Sequence, residues 1–474
     1  MKRKGHGAGV SSRLLFGTDG IRGVVNRGAM TAETAMSLGR ALTHLMREDL
    51  GLSRKPKVVI GKDTRLSGDM LLSAAAAGVM SQGGDAFLAD TLPTPGLANL
   101  TASTRADAGM VISASHNPFE DNGLKIFDGQ GWKLPDETEA RLERLMEDPA
   151  TLDAARPQAG AVGRAYPVRD AVGRYVVSLK SAFPKRLTLE GITIVLDCAD
   201  GAAYRSAPAV FEELGANVHV LSAAPDGFNI NRGSGALHPE VCAAEVLRTG
   251  ADLGVALDGD ADRAIFIDAG GQVVDGDQIM FLCASHMKSK GTLANDAVCA
   301  TVMSTMALDA ALARVGVKLY RAQVGDRYVA ECLRRESLNF GGEKSGHLIF
   351  VEHATTGDGT LAALQTLAVM KESGLPLKEL AAQVAPLPQI LLNVRVAHPA
   401  AVGDNPAVAR MLDDCRGRLG SRGRVLLRPS GTEPVVRVMV EGEDLAEITA
   451  LAKECADLVE REMARGEKPR ATAL

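Results

Sequence analysis

The sequence predicts a mixed α/β protein, because one pattern of apolar strand, polar loop and helix begins three successive regions of the chain. Each short apolar run leads into polar or glycine-containing residues and then into a stretch with helical character. The strands are predicted over 57–60, 192–196 and 297–302, and the helices that follow them over 68–83, 206–214 and 306–315. Alternation of this kind is typical of domains built on a parallel or mixed sheet.

The end of the chain follows a different pattern. Apolar strands are predicted over 390–396 and 435–440, and an amphipathic helix over 444–461. This order fits an α+β domain better than another parallel unit.

Length and composition indicate how many domains there are. A chain of 474 residues is longer than a domain with a single hydrophobic core usually is. Segments with linker-like composition near 148–167, 269–271 and 385–388 divide the chain. We therefore expect four domains around a central cleft. Three α/β domains of similar fold are predicted over 1–160, 161–269 and 270–385, and a C-terminal α+β domain over 386–474.

Composition excludes several classes of function. The net charge of −5 and the aromatic content of 4% argue against nucleic acid as a partner. No apolar run approaches the roughly 18 residues of a membrane span, so no membrane partner is expected. Seven cysteines without paired spacing indicate reduced thiols, and the basic start at 1–4 lacks the apolar segment of a signal peptide. These features predict a cytoplasmic protein.

The first candidate site follows an apolar strand that ends at Ile112. Ser113, Ser115 and His116 come next, and Pro118 forces the chain to turn at the sheet edge, where α/β folds place their chemistry. His116 can orient a serine or a phosphate. The two serines share a face of the extended segment, so the residues alone leave both as candidate nucleophiles.

The second candidate site is a metal site. Asp258, Asp260 and Asp262 alternate with other residues directly after an apolar strand, so their carboxylates point to one side. Three carboxylates and one external oxygen suit Mg²⁺. A calcium loop would require an acidic residue near 272–273, where Gln and Val stand instead. The alternative is a solvated acidic turn.

Two glycine-containing loops are suited to a phosphorylated sugar. Residues 428–434 combine Arg428, Ser430, Gly431 and Thr432, and Arg437 follows on the next strand. Backbone amides, hydroxyls and guanidinium groups of this kind bind phosphate. Residues 341–347 form a polar loop in which Glu343 and Ser345 can bind sugar hydroxyls. Near the start, Arg22 lies in a glycine-framed turn, and Lys125 follows the serine as a further cation.

Taken in order along the chain, these segments resemble the α-D-phosphohexomutase family. The match covers residues 16 to about 462 and includes 114–118, 258–263, 342–347 and 428–434. The resemblance implies that Ser115, rather than Ser113, is phosphorylated, and that one of its phosphoserine oxygens joins the three aspartates on Mg²⁺. It also implies that Arg22, Lys125 and His347 are candidates for proton transfer and charge stabilisation.

Three further segments, which are less specific than the loop motifs, resemble the branch of the family that acts on glucosamine phosphate. They cover residues 324–329, 355–359 and 437–442. A hexosamine phosphate is therefore the expected substrate, and phosphoryl transfer through a phosphoserine and a bound bisphosphate is the expected reaction. Ala261 departs from the glycine common at its position, and Lys344 occupies a variable position.

Three alternatives stay open at this point. The substrate could be glucose or mannose phosphate. A magnesium-dependent phosphatase would use an aspartate nucleophile and would leave the serine and phosphate loops unexplained. A non-catalytic phosphosugar-binding protein is disfavoured, because no expected catalytic position is missing.

Overall fold

The computed structural model describes residues 15–17, 19–51, 54–385, 387–429 and 434–465. These residues fall into two compact units. One holds the residues up to Ser304 together with Leu312–Gln383, and the other holds Thr305–Ala311 and the residues from Val384 onward. The candidate serine, metal and sugar loops all belong to the first unit.

The first sheet of that unit has its most buried strands at the centre. Its strands are β1 (Ile21–Val24), β2 (Lys57–Lys62), β3 (Asp85–Thr91), β4 (Ala108–Ile112), β5 (Asp121–Asp128) and β6 (Ala165–Pro167), in the spatial order β1-β5-β4-β2-β3-β6. β2 is parallel to β3 and β4, whereas β5 is antiparallel to both β4 and β1. Its helices are α1 (Ala32–Leu50), α2 (Gly68–Ser81), α3 (Thr94–Ser103), α4 (Asp136–Glu147) and α5 (Pro149–Ala154). β6 pairs with β3 although it lies beyond residue 160, where we expect the first domain to end.

The second sheet ends in the hairpin that presents the aspartates. It contains β7 (Thr193–Asp197), β8 (Asn217–Leu221), β9 (Leu253–Leu257), β10 (Ala264–Asp268) and β11 (Val273–Val274), in the order β11-β10-β9-β7-β8. The helices of this region are α6 (Ala171–Ser181), α7 (Ser206–Glu213) and α8 (Pro239–Thr249). β7, β8 and β9 run parallel, and β10 turns back antiparallel to β9.

The third sheet repeats the arrangement on a smaller scale. Its strands are β12 (Ala297–Thr301), β13 (Lys318–Ala322), β14 (Phe340–Gly342) and β15 (Leu348–Phe350), in the order β13-β12-β14-β15. The helices of this part of the chain are α9 (Gly276–Ser289), α10 (Met306–Arg314), α11 (Asp326–Arg335), α12 (Gly359–Ser373) and α13 (Leu377–Ala381), and the first two-thirds of α10 belongs to the second unit. As in the second sheet, the last strand pairs antiparallel and forms a hairpin.

The second unit is a three-stranded antiparallel sheet covered by helices. Its strands are β16 (Gln389–Arg395), β17 (Gly423–Pro429) and β18 (Val435–Gly442), in the order β16-β18-β17, and its helices are α14 (Pro406–Leu419) and α15 (Leu445–Arg465). Apolar side chains of the strands and both helices form its own core, among them Val438, Cys415 and Leu451.

The predicted fold class is confirmed: three mixed α/β sheets with helices precede a C-terminal α+β module. The three predicted strand and helix pairs are β2 with α2, β7 with α7, and β12 with α10. Among the described residues, no helix has both the length and the apolar character needed to cross a membrane.

Candidate active site

Ser115 lies in the turn between β4 and β5, and its backbone is left-handed, with φ +52. A non-glycine residue in this region costs about 1–2 kcal/mol, and such residues cluster at functional sites. The residue is fully buried, and its hydroxyl donates a 2.6 Å hydrogen bond to Asp258 Oδ2. The Ser113 hydroxyl instead donates to Asp63 and accepts from the Ser115 amide. Ser115, and not Ser113, is therefore the serine whose hydroxyl contacts the aspartates of residues 258–262.

His116 is partly buried beside this serine, with Nδ1 3.2 Å from Ser115 Oγ. A guanidinium nitrogen of Arg263 lies 3.2 Å from the same Nδ1 and can only donate, so Nδ1 acts as an acceptor. Burial, together with the positive charges of Arg263 and Arg22, lowers the pKa of His116 to about 4. The imidazole is therefore neutral near pH 7.

The acidic loop, residues 258–263, connects β9 to β10 and forms the tip of an antiparallel hairpin. Ala261 adopts a left-handed conformation within it, with φ +56, at the position where the sequence departs from glycine. Gly259 leaves no room for a side chain, because a Cβ there would lie 2.7 Å from the Ser115 carbonyl oxygen. The hairpin thus places the acidic loop directly against the serine.

The three aspartates form a compact group of buried carboxylates. One oxygen each from Asp258, Asp260 and Asp262 lie within 4.8 Å of one another. Asp260 Oδ2 accepts hydrogen bonds from Thr94 (2.6 Å) and Lys125 (2.9 Å). Within the described residues, Asp260 Oδ1 and Asp262 Oδ1 are buried and accept no hydrogen bond, although Asp262 Oδ1 lies 3.5 Å from His347 Nδ1 and 3.7 Å from Arg263 Nε. Burial and the two neighbouring carboxylates raise the pKa of Asp258 well above its usual range, whereas His347 and Lys125 outweigh burial at Asp262 and lower its pKa, so Asp258 is the member that most lacks a positive neighbour.

Lys125 is the buried cation of this site. Its Nζ lies 2.9 Å from Asp260 and 3.7 Å from Asp262, and on its other side 3.3 Å from Asp19. Burial alone would lower the pKa of the ammonium, but the three carboxylates outweigh it and hold that pKa above its ordinary value. Arg22 extends from β1 and pairs with Asp19. The neighbouring carboxylates therefore favour the charged forms of Lys125 and Arg22.

Two further charged residues, which sequence reasoning did not single out, join this network. Lys133 forms ion pairs with both Asp19 and Asp326. Asp326 begins α11, and its Oδ2 lies 3.8 Å from His347 Nε2. Burial would lower the pKa of Lys133, but these two carboxylates raise it. In the sequence, the position of Lys133 shortly after the strand that carries Lys125 was the one feature that could have indicated its place in the site. In the structure, its backbone pairs with that of Phe127 on β5.

The sugar loop, residues 342–347, is the tip of the β14–β15 hairpin. Ser345 donates a 3.0 Å hydrogen bond to Glu343, which fixes the orientation of that carboxylate. Gly346 has φ +88, and a Cβ there would lie 2.1 Å from the Ala264 carbonyl oxygen. The sugar loop therefore packs on the end of the acidic loop.

His347 is fully buried between these loops. Its Nδ1 lies 3.5 Å from Asp262 Oδ1, and its Nε2 accepts a 3.0 Å hydrogen bond from the Gly357 amide. Burial would lower the pKa of the imidazole, but neighbouring carboxylates, Asp262 first among them, raise it. Its contacts place it behind the acidic loop, against Asp262.

The predicted phosphate loop belongs to the second unit. Arg428 on β17 pairs directly with Arg437 on β18, so both side chains emerge from the same face of the sheet. Ser430, Gly431 and Thr432 lie outside the described residues. The described part of this candidate site is thus an arginine pair on the strands that flank the loop.

Comparison with known families accounts for nearly the whole chain. It matches the phosphoglucomutase/phosphomannomutase α/β/α domains I, II and III over residues 13–152, 173–271 and 275–387, and the C-terminal domain over 391–458. The chain belongs to the phosphoglucomutase/phosphomannomutase family, which confirms the resemblance inferred from the motifs.

Within the family, the chain is similar to curated proteins named phosphoglucosamine mutase. The protein of Geotalea daltonii is 55% identical over 449 residues, which cover 95% of this chain and 98% of the relative. The protein of Myxococcus xanthus is 54% identical over 451 residues, with the same coverage of 95% and 98%.

Solved structures share the fold at low identity. A phosphoglucomutase/phosphomannomutase family protein from Burkholderia thailandensis aligns with a TM-score of 0.78 at 22% identity, covering 96% of this chain and 98% of that one. The N-acetylphosphoglucosamine mutase of Aspergillus fumigatus, solved with GlcNAc-6P and magnesium, aligns with a TM-score of 0.66 at 18% identity, covering 95% and 96%.

Proposed function

We propose that this chain is an intramolecular phosphotransferase that interconverts glucosamine 6-phosphate and glucosamine 1-phosphate. The observation that supports this most directly is the contact of the left-handed Ser115 with Asp258 at 2.6 Å, inside a ring of buried carboxylates and cations. The relatives that match over nearly the full length bear the corresponding name.

In the proposed reaction, phospho-Ser115 donates its phosphoryl group to the free hydroxyl of the sugar phosphate. The bond from Oγ to phosphorus breaks, the bond from the sugar oxygen to phosphorus forms, and the proton of the sugar hydroxyl passes, through a base, to the departing serine oxygen. The bound bisphosphate then reorients and returns its other phosphoryl group to the serine. A sugar bisphosphate is the class of compound that would supply the first phosphoryl group. Because Ser115 has no exposed surface, the surrounding loops must open for substrate to reach it.

The donor set fits a divalent cation. Three carboxylates converge within 4.8 Å, and two of their buried oxygens accept no hydrogen bond from the described residues. We propose that Asp258, Asp260, Asp262 and a phosphoserine oxygen hold Mg²⁺, the hard cation that prefers such ligands. The ion would supply charge neutralisation for the phosphoryl group during transfer.

The remaining residues divide by charge state. Lys125 and Arg22 stay positive and would stabilise the oxygens of the transferring group. His116 Nδ1, which lies 3.2 Å from Ser115 Oγ and accepts from Arg263, would orient the serine side chain. His347 would act by orienting Asp262 rather than by touching the substrate.

Sugar and phosphate recognition would come from the two other loops. We propose that Glu343 and Ser345 bind sugar hydroxyls, and that Arg428, Ser430, Gly431, Thr432 and Arg437 hold the phosphate that does not react. The Lys344 ammonium lies 3.7 Å from the Asp275 carboxylate, which offsets its charge and reduces repulsion of a cationic amino sugar.

The proposed domains are those predicted from the sequence, each bearing one of the four loops. The seven unpaired, buried thiols support a cytoplasmic location.

A sugar panel tests the substrate. We expect kcat/KM for glucosamine 6-phosphate to exceed that for glucose 6-phosphate and mannose 6-phosphate by at least about tenfold, or about 1.4 kcal/mol of transition-state binding. Equal efficiency on glucose phosphate would move the protein to another branch of the family. Binding of these sugars without any turnover would instead favour a phosphosugar-binding protein.

A further inference from the structure

The buried Arg65 makes an unusual set of contacts with the turn that presents Ser115. Its Nη2 donates to the carbonyl oxygens of Ser115 (2.9 Å) and Asn117 (2.8 Å). Its Nη1 donates to the carbonyl oxygens of Pro118 and Asp121, the second at 3.1 Å. One guanidinium group therefore satisfies four backbone acceptors of a single turn, using the fixed fork of donors that only arginine offers.

The arginine is itself held in place. Its Nε donates a 2.8 Å hydrogen bond to Asp63 Oδ2. The same carboxylate oxygen accepts a 2.7 Å hydrogen bond from the Ser113 hydroxyl, which in turn accepts from the Ser115 amide at 2.9 Å. Arg65, Asp63 and Ser113 are all at most 1% exposed. The amide and the carbonyl of Ser115 are thus fixed by one connected network.

A second contact comes from the loop that follows β8. Asn231 Nδ2 donates to the Ser115 carbonyl oxygen at 2.9 Å and to the Asn117 carbonyl oxygen at 3.1 Å. These are two of the four oxygens that Arg65 binds. A Cβ at Gly259 would lie 2.8 Å from this amide nitrogen, so the acidic loop closes over the contact. The side chain is 8% exposed, so the contact is shielded from solvent.

We infer that Arg65 and Asn231 are positioning residues that hold Ser115 in its left-handed conformation and aim its hydroxyl at Asp258. Neither reaches the hydroxyl itself, so neither is a catalytic residue. The physical reason is that a non-glycine residue at φ +52 relaxes to an ordinary conformation unless its surroundings oppose this. The two side chains approach the same carbonyl from different parts of the chain, so the serine is presented correctly only when the loop after β8 is docked on the turn.

The test measures phosphorylation of Ser115 as a half-reaction and rests on the proposed function. Dephosphorylated enzyme is mixed with a hexose 1,6-bisphosphate, and phosphoserine is followed by intact mass. We expect Asn231→Ala to lower the rate constant about tenfold, equivalent to about 1.4 kcal/mol, with the final amplitude and the substrate KM nearly unchanged. Ser113→Ala and Arg65→Lys should lower the same rate constant.

The matched control is Asn229→Ala in the same loop. The Asn229 side chain bonds to the backbone of Ala224 and Asp226, and we expect wild-type rate constants from this variant. Arg65→Lys alone could fail by unfolding, so the melting temperature of each variant is measured, and Asn231→Ala provides the decisive comparison.

The outcomes are distinct. If Asn231→Ala lowers the amplitude of phosphorylation but leaves its rate constant unchanged, the variant contains less folded protein and the inference is overturned. Equal losses in the two asparagine variants would also overturn it. If wild-type Ser115 takes up no phosphoryl group, the proposed function itself fails, and the inference fails with it.

Discussion

At the scale of single residues, the site is organised by the pairing of buried charges. The buried Lys125 ammonium lies within 4 Å of the carboxylates of Asp19, Asp260 and Asp262, and a buried charge without such partners is strongly disfavoured. Two carboxylate oxygens of the acidic loop still accept no hydrogen bond from described residues. A cation bound between these oxygens would offset the repulsion among the three carboxylates.

The first prediction tests that reasoning. Asp260→Asn removes one charge while keeping an oxygen for Thr94, and we expect turnover to fall by orders of magnitude with little change in melting temperature. Turnover measured across a Mg²⁺ titration checks this. Asp268→Asn is the control, since Asp268 is a buried aspartate whose carboxylate accepts backbone hydrogen bonds at the far end of β10. Wild-type turnover of Asp260→Asn in the presence of EDTA would exclude the metal site.

At the scale of elements, hairpins and loops at strand ends bring the chemistry together. The sequence showed the local parts well: Ser115, the aspartates and Glu343 each lie in short segments whose residue types and spacing indicate their chemistry. It did not show Asn231 against Ser115, or Lys133 against Asp326, because these contacts join residues 116 and 193 positions apart. Ser113 and Ser115 could not be separated by spacing, because the difference depends on a single left-handed residue.

The acidic loop provides a second prediction. Ala261 is left-handed at φ +56, which costs about 1–2 kcal/mol relative to glycine, whereas glycine adds about 0.4–1 kcal/mol of unfolded-state entropy. We expect Ala261→Gly to stabilise the protein by up to about 1 kcal/mol, measured by urea unfolding. Ala256→Gly in the adjoining strand β9 should destabilise it, because no left-handed strain is relieved there. Destabilisation by both substitutions to the same extent would contradict the strain argument.

A third prediction concerns the start of α12. Asp358 caps this helix and accepts a 2.7 Å hydrogen bond from Tyr175, and burial raises its pKa to about 6. Because the folded state binds the proton more tightly, this group stabilises the fold at low pH, and that contribution is lost as the pH rises from about 4 to about 6.

Asp358→Asn should remove this dependence. We expect its free energy of unfolding, relative to wild type, to increase by about 3 kcal/mol between pH 4 and pH 7. Urea unfolding at both pH values measures the difference. A constant difference between the two proteins would show that the carboxyl titrates normally.

At the scale of the whole molecule, the three sheets of the first unit place their candidate site residues in the same way. Each presents a loop at the end of a strand: the serine turn after β4, the acidic loop after β9 and the sugar loop after β14. Glycines permit the close contacts, as Gly259 does against Ser115 and Gly346 against Ala264. Each of the three loops joins a strand to its antiparallel neighbour, so this recurring connection, and not the predicted strand–loop–helix unit, carries the candidate site.

The second unit supplies the fourth prediction. Arg428→Ala should raise the KM for sugar phosphate about ten- to a hundredfold, because a hydrogen bond to a charged group contributes about 1.5–3 kcal/mol. Steady-state kinetics measure this. Arg416→Ala, on the exposed face of α14, is the control and should behave as wild type. A change in kcat alone, with KM unaffected, would show that Arg428 does not bind the phosphate.

The central claim is that Ser115 transfers the phosphoryl group, and one measurement addresses it directly. Purified protein is phosphorylated with a hexosamine 1,6-bisphosphate, the site is mapped by peptide mass spectrometry, and the enzyme is then mixed with glucosamine 6-phosphate. We predict one phosphoryl group on Ser115, its transfer to the sugar on mixing, and no uptake or turnover in Ser115→Ala. A phosphoryl group on another residue, or sustained turnover by Ser115→Ala, would contradict the account.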